Sequence, residues 1–223
     1  MKTRLHRKTI FLLFFISIGL SSKVFSQTEV TYSFANAAMT DGSGGAGTTH
    51  YEVDVMIQTD VAAKLADGIV AFNYNTSAFG SNIKANSKIT FSHPVGTNTS
   101  YILDTNAFGT DLYAFSGTGI TTVDRTSSSY SFAWNGGFVA FVPSNNVSST
   151  ASLLAHITIE YTDNTQAPSI TFDTAAMTDQ TAVNTEANFI TGTYNYDNSG
   201  ASLPTAVTWD GSEDSDWATA ANW

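Results

Sequence analysis

The sequence predicts an all-β protein, a two-sheet antiparallel sandwich with little helix apart from its N-terminal leader. Three observations predict it. Apolar and polar residues alternate with period two in five separate segments, the spacing that sets one group of side chains on one face of a strand. Turn signals divide those segments, among them Asp41-Gly42, Asp67-Gly68, Phe79-Gly80, Gly136-Gly137 and Ala167-Pro168. No stretch keeps a 3.6-residue apolar period over three turns. Many short strands with regular turns build a sandwich. There is no cysteine, so no disulfide and no thiolate metal site supports the fold. A domain of about 170 residues buries roughly 70% of its unfolded surface, enough for two packed sheets without such supports.

The chain opens with Lys2, Arg4, Arg7 and Lys8, followed by an apolar run of eleven residues from Ile10 to Leu20. A spanning helix needs about 20 apolar residues, so the run reads as a secretory signal peptide, residues 1–26. Ser26 is small and suits cleavage before Gln27. The strands then follow in order. Val30, Tyr32 and Phe34 alternate first, then Tyr51, Val53, Val55 and Ile57. Val70, Phe72 and Tyr74 make a third set, Tyr130, Phe132 and Trp134 a fourth, and Ile157, Ile159 and Tyr161 a fifth. Shorter candidates lie at 88–92, 101–104, 112–116, 138–142, 169–173, 188–196 and 205–209. Residues 62–66 and 149–155 could each make a turn of helix. SFANAAMTD, from Ser33 to Asp41, is echoed by TFDTAAMTD, from Thr171 to Asp179, a match too short to require a duplication. The domain is expected to run from 27 to 196. DNSGASLPT then begins a polar linker, 197–206, and residues 207–223 begin a Trp-rich segment.

Charge narrows the partners. Loss of residues 1–26 leaves Lys64, Lys84, Lys88 and Arg125 against all 19 acidic residues, so the formal charge moves from −10 to −15. Such a surface repels phosphate backbones and anionic lipid, which excludes nucleic acid as a partner. It also argues against stable membrane association once the leader is removed.

Motifs for chemistry are weak. Gly42 to Gly47 reads GSGGAG, but a strand follows it where a dinucleotide loop needs a helix. Glu52 and Asp54 alternate on one strand face, about 7 Å apart, a pattern common on exposed strands. His156 and Glu160 share a face at roughly 13 Å, too far to hold one ion. No catalytic residue, cofactor or metal is expected. Aromatic side chains are more suggestive, because sugars lay apolar C–H faces on aromatic rings. Trp134, Tyr130 and Tyr194 are the candidate ring platforms, although Tyr130, Phe132 and Trp134 also form the kind of alternating face that makes core.

VDVMIQTDVAAKLADGIVAFNYNTSAFGS, from Val53 to Ser81, resembles the start of a cohesin-type module, a family similar in fold to cellulose-binding sandwiches. The matching features are the alternating strand Val53 to Ile57, the Asp67-Gly68 turn, Val70-Phe72-Tyr74, and Phe79 beyond it. Tyr-Asn-Thr stands where the family has Tyr-Asp-Pro. SLLAHITIEYT, from Ser152 to Thr162, is similar to the family's late Leu-led strand. The resemblance implies a dockerin-contacting strand on which Asp67 and Asn73 are the polar residues available. VTWDGSEDSDWATAANW, from Val207 to Trp223, is similar to a Trp/Gly repeat of type IX-secreted Bacteroidetes surface proteins. The function expected is a secreted or cell-surface bacterial binding module for a polysaccharide or an extracellular protein. The alternatives are a structural spacer or adhesin stalk, and an accessory domain of a larger polysaccharide-degrading enzyme. Mass spectrometry of the exported protein should find its N-terminus at or near Gln27; an intact Met1 on that product would refute the cleavage site.

Overall fold

The computed structural model describes residues 29–41, 48–65, 67–92, 121–134, 147–177, 182–185, 188–191 and 193–204. The leader, the Gly42–Gly47 turn, the candidate strands at 101–104, 112–116, 138–142 and 205–209, and the Trp-rich segment lie outside the described residues.

The described chain runs β1 (Glu29–Asp41), β2 (Thr49–Thr59), β3 (Lys64–Leu65), β4 (Gly68–Asn73), α1 (Thr76–Phe79), β5 (Ile89–Ser92), β6 (Thr121–Thr126) and β7 (Ser129–Trp134). It continues through β8 (Ser152–Glu160), β9 (Thr171–Phe172), β10 (Ala182–Thr185), β11 (Asn188–Thr191) and β12 (Thr193–Asp197), ending on a 3-10 turn at Ser199–Ala201. A five-stranded sheet has the order β12-β1-β2-β8-β5, and a four-stranded sheet the order β6-β7-β4-β9. A small third sheet, β11-β10-β3, completes the described pairing.

The two larger sheets face each other through aromatic rings. Phe34 of β1 stacks on Phe172 of β9 at 4.1 Å and meets Phe72 of β4 edge-on at 6.3 Å. Phe91 of β5 lies 4.5 Å from Phe132 of β7. Each inward set is the alternating set of the sequence: Val30, Tyr32 and Phe34; Tyr51, Val53, Val55 and Ile57; Val70 and Phe72; Tyr130, Phe132 and Trp134. Gly68 is opposite Trp134 in the β4–β7 register, and the indole lies over it. A Cβ at Gly68 would fall 2.2 Å from Trp134 Cζ2, so the close approach requires glycine.

Two bulges adjust the long strands. The β1–β2 register shifts between Ala35 and Ala38, with Asn36 at φ 56°. Asn tolerates this left-handed conformation, and its Nδ2 donates to Asp54 Oδ2 at 2.7 Å. In β8 a second shift beside Val55 and Met56 lets both Leu154 and Ala155 be buried. After β4 the chain turns through α1, whose start is capped by Asn75 Oδ1 accepting from Ser77 N at 2.9 Å. The helix delivers Phe79 into a cluster with Tyr51, Tyr74 and Tyr161.

The structure departs from the sequence reading at five places. One pair, β1 with β12, is parallel, whereas every other named pair is antiparallel. Alternation carries no information on strand direction, and the whole domain lies between these two strands, long enough for either approach. Residues 62–66 and 149–155 make no helix among their described positions. Ala63 bridges to Val147, Lys64–Leu65 is a strand, and Ser152 opens β8. The 188–196 candidate is split into β11 and β12.

Residues 197–204 are not the linker expected there. Asp197 ends β12, Tyr51 Oη donates to Ala201 O at 2.6 Å, and Leu203 packs against the core. The polar residues that suggested a linker instead satisfy backbone locally. Asn198 Oδ1 accepts from Phe172 N at 2.8 Å, and Asp197 Oδ1 accepts from Ser199 N at 2.8 Å.

Gly200 sits so close to β1 that a Cβ would fall 1.9 Å from Phe34 O. Gly200→Ala should therefore cost about 1–3 kcal/mol in urea denaturation, through overpacking against backbone. Phe72→Ala should cost about 3–5 kcal/mol, and exposed Asn73→Ala less than about 0.5 kcal/mol. Equal losses at 72 and 73 would contradict the strand phase.

Candidate functional site

The outward faces of the two large sheets differ in chemistry. On the five-stranded sheet the outward residues lock to one another. Cross-strand register sets Asp54 opposite His156, and Asp54 Oδ1 lies 2.7 Å from His156 Nδ1. Glu52 Oε2 approaches the other ring nitrogen at 3.6 Å. Thr40 Oγ1 donates to Glu52 Oε1 at 2.7 Å, and Asn36 holds Asp54 from the β1 side. Lys88 meets Glu160 at 3.8 Å and donates to Thr162 Oγ1 at 2.7 Å. Spacing along single strands separates His156 from Glu160 and treats Glu52 and Asp54 as a pair. The register instead gathers both carboxylates around one imidazole. Their oxygens are engaged by neighbours, an arrangement that rigidifies a sheet face.

The outward face of the four-stranded sheet has short side chains. Register aligns Thr121, Ala133 and Ile69 in one row, and Val123, Ser131 and Ala71 in the next. Ser129, Asn73 and Thr171 make a third. Ala71, Ser129 and Ser131 are buried among their neighbours, Ile69 and Ala133 are half-buried, and Val123 is 47% exposed. Ser129 Oγ donates to Asp173 Oδ2 at 3.4 Å. Asp67, Asn73, Thr121 and Thr171 are exposed around this floor. What this face exposes is Val123 on the edge strand β6, parts of Ile69 and Ala133, and the polar residues around them.

The candidate residues of the sequence divide between these environments. Asp67 and Asn73 stand exposed at the two ends of the β4 segment, on the surface just described. Tyr130 and Trp134 do not offer ring platforms to a sugar. They are 1% and 3% exposed, their faces packed inside the sandwich against Phe72 and Phe132. Tyr194 is half-buried, opposite Val30, and packs against the core from the edge strand β12. The period-two pattern shared with Phe132 signalled this inward placement, since burying a large ring outweighs exposing it. Among the described residues no aromatic side chain lies in the three outward rows of the four-stranded sheet.

Burial also marks the tyrosine hydroxyls. Tyr130 is pushed up to about 12, chiefly by burial, with a Thr122 hydrogen bond pulling it down and nearby Asp124 raising it. Tyr51 is pushed up further by burial and by Tyr161. Tyr161 Oη and Trp134 Nε1 are buried without a hydrogen-bond partner among the described residues. No helix among the described residues is long and apolar enough to cross a membrane.

No protein-family model matches this sequence, and no curated protein matches it. Several solved structures are similar to the chain, cohesins among them. The seventh ScaB type I cohesin of Pseudobacteroides cellulosolvens is 8% identical, with a TM-score of 0.43, covering 82% of this chain and 95% of its own. The second type II cohesin of the ScaA scaffoldin of Acetivibrio cellulolyticus is 12% identical, with a TM-score of 0.42, covering 82% and 99%. A type II cohesin domain from the cellulosome of Acetivibrio cellulolyticus is 11% identical, with a TM-score of 0.39, covering 76% and 91%.

Alkaline pH should test the buried tyrosines. In the unfolded chain they ionise near about pH 10. In the native state Tyr130 holds its proton to about 12 and Tyr51 beyond that. The native state then binds more protons than the unfolded one, so stability is whole below about pH 10 and falls as pH rises above it. Melting temperature should decline over that window, and less steeply in Tyr51→Phe. An unchanged slope in that variant would contradict the burial.

Proposed function

We propose that residues 29–204 form a non-catalytic module that binds an extracellular protein partner on the outward face of the four-stranded sheet. The observation that carries this reading is the contrast between the two outward faces. One is closed by hydrogen bonds from Asn36 to Asp54, from Thr40 to Glu52 and between Asp54 and His156, with Glu52 3.6 Å from the same imidazole. The other carries exposed Val123 on its edge strand β6 and half-buried Ile69 and Ala133, set among buried Ala71, Ser129 and Ser131, with exposed Asp67, Asn73, Thr121 and Thr171 around them. An apolar centre with a polar rim is the layout of a protein interface. Short side chains let a partner's helix or strand approach the sheet closely. Asp67 and Asn73, the residues singled out by the cohesin resemblance, belong to that rim. The signal peptide reading, the acidic charge and the resemblance to cohesins support a place outside the cell.

Affinity capture from the secreted proteins of the source culture tests this reading. The wild-type chain should retain a discrete protein. Val123→Arg and Asn73→Arg should each reduce that retention about tenfold or more, with unchanged melting temperature, because a charge would sit desolvated in the interface. His156→Ala, on the opposite sheet, should retain it. Equal retention by all variants would place the interface elsewhere, and no retained protein would favour the spacer alternative.

A further inference from the structure

A cleft of about 550 Å³ opens at the side of the sandwich where β5 and β6 lie, lined by Lys84, Ser87, Ile89, Thr90, Phe91, Thr122 and Tyr130. It is separate from the sheet surface proposed above for a protein partner. Its volume falls within the range of about 300–1,000 Å³ typical of small-ligand sites. Its lining combines two chemistries. Ile89 and Phe91 are half-buried, and the Phe91 ring is steadied by Phe132 at 4.5 Å. Around them stand the hydroxyls of Ser87, Thr90, Thr122 and Tyr130, and the Lys84 ammonium.

We infer that this cleft is a binding site for a neutral sugar, one or two rings in size. The aliphatic and aromatic side chains suit the C–H face of a pyranose, and the hydroxyls suit its edge. Tyr130 then acts through its hydroxyl, since its ring is buried in the core. A tyrosine hydroxyl is protonated at neutral pH in any case, and burial pushes it further in that direction, so it can donate. Lys84 is the one charged side chain of the described lining, while the acidic chain around the cleft opposes an anion at longer range. Lys84 Nζ already donates to Thr122 Oγ1. The Asp124 carboxylate is alongside, accepting from Lys84 N at 3.0 Å and from Ala85 N at 2.8 Å. Among the described residues no carboxylate lines the cleft, yet Asp124 and the −15 of the chain after residue 26 oppose an anion's approach. The cleft lies on the side of the sandwich, so a sugar and a protein partner need not compete.

Titration of the isotope-labelled full chain with cellobiose, xylobiose and mannobiose, followed by NMR, tests the inference. At least one should bind with a Kd of about 1 mM, shifting resonances of Ile89, Phe91 and Thr122, with little change on added salt. Phe91→Ala should abolish the shifts, but it also removes a core ring contact. Thr122→Val keeps the shape and should weaken binding about fivefold; it also removes the hydroxyl's bonds to Lys84 and Tyr130, so its melting temperature should fall by no more than about 5 °C and the domain should stay folded at the titration temperature. Saturable shifts confined to the cleft, weakened in Thr122→Val, would support the site. Absence of binding by all three sugars, shifts located elsewhere, or undiminished affinity in Thr122→Val would overturn it. So would tighter, salt-sensitive binding of galacturonate.

Discussion

Everything in this domain depends on the aromatic layer between its two large sheets. With no cysteine available, cross-sheet cohesion rests on buried side chains. Phe34 and Phe172 stack at 4.1 Å, and Tyr32 and Tyr196 lie nearly parallel at 6.3 Å. Phe91, Phe132 and Trp134 continue the layer toward the opposite side. Large rings bury more area per residue than aliphatic side chains, which suits a chain that must hold two sheets by packing alone. The layer also sets backbone requirements. Gly68 lacks a side chain because Trp134 lies over it, and Gly200 because the 3-10 turn after β12 closes directly on Phe34.

The core in turn decides what each surface can be. In β2 the buried odd residues leave the even ones outward, whereas in β4 and β7 the outward Ala71, Ser129 and Ser131 are buried as well. Behind β1, β2 and β8 those outward rows contain Asn36, Thr40, Glu52, Asp54 and His156, which register turns into a bonded network. Behind β4 and β7 they contain Ile69, Ala71, Ser131 and Ala133, which cannot bond to one another in that way. One face therefore spends its polarity internally, whereas the other has few polar groups to pair and leaves Val123 47% exposed on its edge strand. At the side of the sandwich the same core supplies Phe91 and the hydroxyl end of Tyr130 to a cleft whose remaining lining is polar.

Closure at the domain's end shows how little composition says about order. Asp197 to Pro204 has the polar, small-residue character of a linker, yet it ends a strand, turns once and gives Tyr51 its acceptor at Ala201. The repeated Ala-Ala-Met peptide makes the same point. In β1 it is paired with β2 and leaves Met39 45% exposed; near Met177 it forms a turn and that side chain is buried. One local sequence takes two conformations because its neighbours differ.

Alternation alone determined most of the architecture. Period two identified β1, β2, β4, β7 and β8, and it placed Tyr32, Phe72, Phe132 and Ile157 in the core, because side-chain direction in a strand is a local property. It also hinted that Tyr130 and Trp134 were core, although sugar chemistry made them look like platforms. Tertiary structure alone decided which strands are neighbours, and so the parallel pairing of β12 with β1 and the two bulges. It alone brought His156 between Glu52 and Asp54, residues about a hundred positions away. The same holds for the cleft, where Lys84, Phe91 and Thr122 come from separate segments. Those features depend on register between distant strands, and register is fixed by the packing of whole sheets, which no single stretch of sequence contains.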